Sequence, residues 1–495
     1  MNQFINAMGT GNSLTANGAA TNSSSGSEII DLFFLIGATR NMSEDDIKSV
    51  FAQAYRKDPT VASKILFYAR DIEKGLGERR VFRVITSWLF GETTMLNNLL
   101  TPENLYNNII RVDDMVYLVS KELKNKDNPN TTAINQIMMF LNKMLYDEKV
   151  GGIVAKWMPR KKSQYGNVVK YMRDNNLINS YTEYRKCIVS RTNVIEQQMS
   201  KKQWDDINLE HVPSVAMKKY KKAFNRHNIL KQYVEKVAAG EAKINASKLY
   251  PYEIVKDIIV EKSYYHGSNK LDETTKQLLN EQWKNLSKLD MLPTEFRAIP
   301  VIDVSGSMEN PNFIPMSMSV GLGIFIAEHN PNEQFRNSFI TFSASPKFDR
   351  IIGHSIYEKV KNLLGAEWGM NTNIEATFSL ILNKALVFSI PQNEMPTHII
   401  IISDMEFDNC AIQDNTAMQM ITKKYHEAGY EVPTIVFWNV NGRVGNVPAR
   451  KNDKNVLLVS GASQNVVNFV LKKGYEDLMG LVNEVVNSER YSHIK

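Results

Sequence analysis

The sequence predicts two domains of different class, an all-α array of helical repeats followed by an α/β domain built on a parallel sheet. Three observations carry this. A chain of 495 residues is longer than one hydrophobic core usually serves. The apolar pattern changes near Leu292-Pro293-Thr294, from helical spacing to short aliphatic runs alternating with amphipathic helices. Charge segregates at the same place: residues 1–296 hold 42 Lys and Arg against 33 Asp and Glu, whereas residues 297–495 hold 17 against 20.

The expected organisation is a flexible leader over 1–27, a helical domain over 28–296 and an α/β domain over 297–495. The leader is rich in Gly, Ser, Thr, Asn and Ala and carries no charge before Glu28. It lacks the basic start and apolar core of a signal peptide. In the helical part, Ser43 with Asp46 forms a capping-box pattern. Ile47, Val50, Phe51, Ala54 and Tyr55 follow at helical spacing. Asp58-Pro59-Thr60 ends that helix and starts another, which Gly75-Leu76-Gly77 breaks. The next is expected to bury Val81, Val84, Ile85, Trp88 and Leu89. No strict sequence period is present, so the array is irregular.

Beyond Pro293, residues 298–304, 337–343, 397–403, 432–439 and 455–460 read as strands. Helices are expected near 314–328, 373–388, 413–428, 464–473 and 475–488. Alternation of this kind gives a parallel sheet covered on both faces. Ligands of such a sheet sit at the carboxyl ends of strands, near a switch in strand order. Asp303, Asp404 and the loop Trp368-Gly369-Met370-Asn371-Thr372-Asn373 fall at such ends.

Composition excludes several classes. With 43% hydrophobic and 23% charged residues, the chain is an ordinary globular one. No apolar run approaches the ~20 residues of a membrane span, so no membrane association is expected. Only Cys187 and Cys410 occur, which argues against a disulfide framework or a cysteine-rich zinc site. A reducing, cytoplasmic setting follows.

The run Asp303-Val304-Ser305-Gly306-Ser307 puts one carboxylate and two hydroxyls on one loop after a buried strand. Oxygen ligands at alternating positions suit a hard cation, Mg²⁺ or Mn²⁺. The competing reading is that Ser305 and Ser307 cap the next helix. A phosphatase would need a second acid where Ser305 stands, and no histidine lies nearby in sequence for a hydrolytic triad. No enzymatic activity is therefore expected. Glu406 and Asp408 read either as a solvated loop or as groups that tune the metal.

Residues 151–230 hold 16 basic against 6 acidic side chains, the footprint of a polyanion partner. Lys156, Arg160, Lys161, Lys162, Lys170 and Arg173 form one group, with Trp157, Tyr165 and Tyr171 interleaved. Lys201, Lys202, Lys218, Lys219, Lys221, Lys222 and Arg226 form a second, among Trp204, Tyr220 and Phe224. Cations for phosphates and rings for unpaired bases are the ingredients of single-strand binding, so the expected partner is RNA, single-stranded or structured. In a helical stack the same aromatics also serve as core. Arg70, Asp71, Glu78, Arg79 and Arg80 read as an inter-helix salt-bridge network or as a nucleic-acid contact.

The series Asp303-x-Ser305-x-Ser307, Thr372 and Asp404 resembles the metal-ion-dependent adhesion site of von Willebrand factor A domains, which have a Rossmann-like fold. The resemblance implies that Ser305 and Ser307 bind the ion directly and Thr372 directly or through water. Asp303 and Asp404 would hold its waters and offset its charge, leaving one position for an acidic group of a protein partner. Tyr68-Ala69-Arg70-Asp71, Gly75-Leu76-Gly77-Glu78-Arg79-Arg80 and Arg111-Val112-Asp113-Asp114-Met115 are similar to signatures of the TROVE module, the HEAT-like helical ring of Ro ribonucleoproteins. Lys156-Trp157-Met158-Pro159-Arg160 and the stretch from Val212 to His227 look closer still to an uncharacterised Ro-like family found in phages and plants. This resemblance implies an RNA-binding scaffold. The alternative it leaves is a von Willebrand A adaptor or virion-associated interaction component without RNA binding.

Overall fold

A computed structural model describes residues 13–125, 127–192, 194–246, 249–262, 270–286, 296–343, 345–366, 373–407, 417–470 and 477–495. The chain forms two compact units, one of residues 1–46 with 209–485 and the other of 47–208 with 486–495.

The first unit is organised by a six-stranded sheet: β1 (Ala298–Ile302), β2 (Ser338–Thr341), β3 (Phe348–Arg350), β4 (His398–Ser403), β5 (Thr434–Asn439) and β6 (Val456–Ser460). The strand order is β3-β2-β1-β4-β5-β6, all parallel except β3, which runs antiparallel to β2. This is the doubly wound order, with its switch point between β1 and β4. Their register pairs Val301 with Ile401 and Ile302 with Ile402, so both strands deliver their next residues to one edge. β1 and β4 are buried along their whole length, as aliphatic strands covered on both faces should be.

The Ile314–Glu328 helix is buried almost throughout, because it packs on the sheet and on the Pro251–Lys262 helix. A Cβ on Gly321 would stand 2.9 Å from the Pro251 carbonyl carbon and the Tyr252 nitrogen, so only glycine permits this approach. The Glu28–Ile36 helix packs on β6, and the Gly37 N–H donates to Ser460 Oγ at 3.0 Å.

Three expectations of domain organisation meet a different arrangement. Residues 13–27 are tied down rather than a free leader. Ser13–Leu14 pairs with Ala20–Thr21, Asn22 bridges Val447, and Thr15 Oγ1 donates to the Phe407 carbonyl at 2.6 Å. Residues 209–286 group with the sheet rather than with the preceding helices, and residues 486–495 group with the helices rather than with the sheet. All three depend on contacts between residues distant in sequence. The short β3 and the Ile356–Leu364 helix were not foreseen, since β3 is an exposed edge with no apolar run.

The helical unit follows its caps. Asp58 accepts the Val61 N–H at 2.9 Å and Pro59 opens the Pro59–Arg70 helix. That helix packs on Arg79–Trp88, which packs on Val112–Glu122. Phe67 and Phe82 meet edge to face with ring centroids 5.4 Å apart. Val81, Val84 and Ile85 are buried as expected, but Trp88 lies 46% exposed at the helix end. Among the described residues, no helix is long and apolar enough to cross a membrane.

Candidate cation site and basic surfaces

Asp303 follows β1 and Asp404 follows β4, so the parallel register brings both carboxylates to the switch point. Both are buried. Asp303 is held on two sides: Oδ1 accepts the Ser305 N–H at 2.9 Å and Oδ2 accepts the Ser403 hydroxyl at 2.6 Å. Its backbone N–H donates to Ser319 Oγ at 3.0 Å, and that hydroxyl donates to the Ile402 carbonyl at 2.9 Å. The Ile314–Glu328 helix thus fixes both strand ends at once.

Ser305 precedes the short turn Gly306–Glu309 but does not cap it with its side chain. Instead its Oγ lies 3.1 Å from Ser307 Oγ. The capping reading of Ser305 is therefore not what the structure shows. Ser307 is exposed, and among the described residues nothing stands within 4 Å of where a Cβ on Gly306 would be.

Burial, and then the negative charge of Asp303, push the Asp404 carboxyl up to about 7. Hydrogen bonds from Ser307 and the Glu406 N–H act in the opposite direction without offsetting the rise. Two buried carboxylates beside two hydroxyls form a set of hard oxygen atoms, the donor type that divalent cations take. Among the described residues, no group of three or more His, Cys, Asp and Glu gathers as a metal cluster, here or elsewhere.

Thr372, with Trp368 to Asn371, lies outside the described residues. Asn373, a competing oxygen donor in that loop, accepts the Ala376 N–H at 2.8 Å as the cap of the Ile374–Val387 helix. Glu406 is not a solvated loop residue: it pairs with Arg443 Nε at 3.1 Å and accepts from Asn446 Nδ2 and the Ala16 N–H. Asp408 and Cys410 lie outside the described residues. The sequence reading missed the supporting roles of Ser403 and Ser319. The available signal was a lone hydroxyl at the end of the aliphatic run before Asp404.

The basic residues divide between the units. Lys156, Lys161, Lys162, Lys170, Arg173, Lys201 and Lys202 are exposed on the helical unit, with Arg160 half-buried. Lys161 Nζ lies 4.4 Å and the Arg173 guanidinium 5.2 Å from the Tyr181 ring centre, and Arg173 also pairs with Asp174 at 2.5 Å. Burial lowers the Arg160 guanidinium from its ordinary value, and its Nη1 has no hydrogen-bond partner among the described residues. Lys218, Lys219, Lys221, Lys222 and Arg226 belong to the other unit. There Lys221 pairs with Asp257 at 2.6 Å, and Lys218 donates to the Glu253 carbonyl at 2.5 Å. These two lysines serve the fold, whereas Lys219, Lys222 and Arg226 are exposed. Phe224 is core, Tyr171 donates to Asn135, and Trp157, Tyr165, Trp204 and Tyr220 are half-buried.

The N-terminal signature residues meet as a salt-bridge network. Arg70 Nε and Arg83 Nε each lie 2.7 Å from an oxygen of Asp114. Burial works against the Asp114 carboxylate, yet the two guanidiniums hold it below its ordinary pKa. Asp71 receives Arg490, and the Tyr491 hydroxyl donates to it at 2.8 Å.

Over residues 15–129 and 137–289 the sequence matches the family described as "Domain of unknown function (DUF2828)". Over 297–493 it matches "Domain of unknown function (DUF7788)". An uncharacterized protein of Acanthamoeba polyphaga mimivirus is 28% identical over 500 residues, covering 93% of this chain and 84% of that one. Among solved structures, the Ro (RSR) protein of Deinococcus radiodurans is similar at a TM-score of 0.38 and 10% identity, over 94% of this chain and 100% of that one.

Proposed function

The chain belongs to the family described as "Domain of unknown function (DUF2828)", and from its two kinds of site we propose a non-enzymatic scaffold that binds RNA and recruits a protein partner through a divalent cation. The observation that carries the cation half is the buried pair Asp303 and Asp404 at adjoining strand ends, facing the Ser305 and Ser307 hydroxyls. We read the sheet as a von Willebrand A domain, for which the strand order and the placement of both acids are the support. Ser305 and Ser307 would hold Mg²⁺, or Mn²⁺, while Asp303 and Asp404 balance its charge. Thr372 is assigned to the same set by resemblance alone. When bound, the ion would supply an open position for a carboxylate of the partner. Ser305 stands where a phosphatase would need a second acid, which favours binding over that chemistry.

The RNA half rests on the exposed group Lys156, Lys161, Lys162, Lys170, Lys201 and Lys202, whose charges can lie along a phosphate backbone. Lys218 and Lys221 leave that set, being held by Glu253 and Asp257. The cytoplasmic setting rests on the cysteine count. A labelled single-stranded RNA, titrated against wild type and Asp303→Ala at rising salt, tests both halves. The two proteins should show equal, salt-sensitive RNA affinity, with Mg²⁺-dependent stabilisation in wild type alone. No RNA binding even at low salt would leave the adaptor, free or carried in a virion, as the better reading.

A further inference from the structure

Residues 13–22 fold back onto the loop that follows Asp404. Thr15 Oγ1 donates to the Phe407 carbonyl at 2.6 Å, Asn17 Nδ2 donates to the Glu406 carbonyl at 2.7 Å, and the Ala16 N–H donates to the Glu406 carboxylate. Thr21 Oγ1 lies 3.1 Å from Asn446 Oδ1, and Asn22 Nδ2 donates to the Val447 carbonyl at 3.1 Å. Glu406 and Asn446 are in turn the groups that grip the turn after β4. Asn446 Nδ2 donates to the Met405 carbonyl at 2.9 Å and lies 3.1 Å from Glu406 Oε1. The Glu406 N–H donates to Asp404 Oδ1 at 3.2 Å. A path of hydrogen bonds therefore runs from residues 13–22 to the Asp404 carboxylate.

The turn needs that grip. Met405 is buried and holds φ at +65°, a left-handed conformation that costs free energy in a residue with a Cβ. The strain sits directly beside Asp404, so relaxation of Met405 would re-aim that carboxylate. Residues 13–22 are suited to release. Ala19 is the only apolar side chain buried among them, and Leu14 is 61% exposed. A segment held by hydrogen bonds, with little apolar burial, lies at the low end of local stability and opens while the sheet stays folded.

We propose that residues 13–22 are a releasable strap that holds Asp404 in its cation-binding position, so that docking of the strap and binding of the ion strengthen each other. This rests on the cation reading of Asp303 and Asp404 and adds a control to it. By reciprocity, an ion bound at Asp404 tightens the strap by the same factor by which the strap tightens the ion. Whatever draws residues 13–22 away from Glu406 and Asn446 weakens the site.

Amide hydrogen exchange of the full chain, in chelator and in saturating Mg²⁺, reads one direction of the coupling without a mutation. Exchange over residues 13–22 should slow at least about fivefold when Mg²⁺ is present. Ala16→Pro reads the other direction. Position 16 follows Thr15 in the turn that the Gly18 N–H closes on the Thr15 carbonyl at 3.1 Å, a place that proline fits. The substitution therefore removes the donor to Glu406 and keeps the turn. Calorimetric titration should show Mg²⁺ binding about tenfold weaker than in wild type. If Mg²⁺ binds wild type but exchange over residues 13–22 stays as in chelator, or if Ala16→Pro binds the ion as tightly as wild type, the strap is overturned and the cation site stands. No Mg²⁺ binding by wild type overturns both.

Discussion

The Ser403 hydroxyl donates a 2.6 Å hydrogen bond to Asp303 Oδ2, from the end of β4 to the end of β1. Ser403 Oγ in turn accepts the Met405 N–H at 3.0 Å. One buried side chain therefore sets the orientation of an acid on the neighbouring strand and the turn that follows Asp404. Ser403→Ala should cost about 1–3 kcal/mol, because the buried Asp303 oxygen loses its donor. Mg²⁺ affinity should fall by roughly 10–100-fold although Ser403 is not assigned as a ligand. Denaturant unfolding and Mg²⁺ titration of the same variant check both numbers.

Asp404 makes the stability of the protein pH-sensitive. In the fold its carboxyl holds a proton up to about 7, whereas an unfolded aspartate loses its proton near pH ~4. The folded state therefore binds more protons between these values, so stability falls as pH rises through that window. Saturating Mg²⁺ should oppose the fall at its upper end. Asp404→Asn should flatten the profile and abolish the Mg²⁺ effect. Thermal melts across the range, with and without chelator, report this; a profile that rises with pH through the window would contradict it.

Charge reversal should separate lysines that contact RNA from lysines that hold the fold. Lys161→Glu with Lys162→Glu, both exposed, should weaken RNA binding and lower the salt slope by about 0.7 per lost phosphate contact on a single strand. Lys221→Glu should instead lower stability, since it sets like charges together at Asp257. RNA affinity at several salt concentrations, read beside melting temperature, distinguishes the two outcomes.

Residues 486–495 should stabilise the helical unit. Arg490 and Tyr491 both contact Asp71, whose side chain is fully buried, and Arg490 Nη2 also donates to the Asn107 carbonyl at 2.6 Å. Arg490→Gln should cost about 3 kcal/mol by leaving a buried carboxylate without its cation. Tyr491→Phe should cost about 1 kcal/mol for one lost hydrogen bond. Urea denaturation followed by a probe in the helical unit measures both.

The α/β half was legible because its information is local. Aliphatic runs at 298–302 and 398–403 specify buried parallel strands, and an acid after each run falls at the switch point without knowledge of the partner strand. Helix 314–328 was readable to its ends, since its apolar content leaves no exposed face. What escaped depends on distant pairing. β3 contains Phe-Asp-Arg and is a strand only because β2 lies beside it. Glu406 looks solvated until residues 13–22 fold back to it. Lys218 and Lys221 look like RNA contacts until Asp257 is placed against them. For Glu406 and the two lysines the partner lies more than thirty positions away, and no local period encodes it.

The most direct test of the account is the melting temperature of wild type and Asp303→Ala above about pH 7, with chelator and then with Mg²⁺ or Mn²⁺. A cation held between Asp303, Asp404, Ser305 and Ser307 should raise the wild-type value, by about 2.7 kcal/mol of stability at a hundredfold excess over Kd, and leave Asp303→Ala unmoved. Identical melting of wild type with and without either ion, or an equal rise in both proteins, would contradict it.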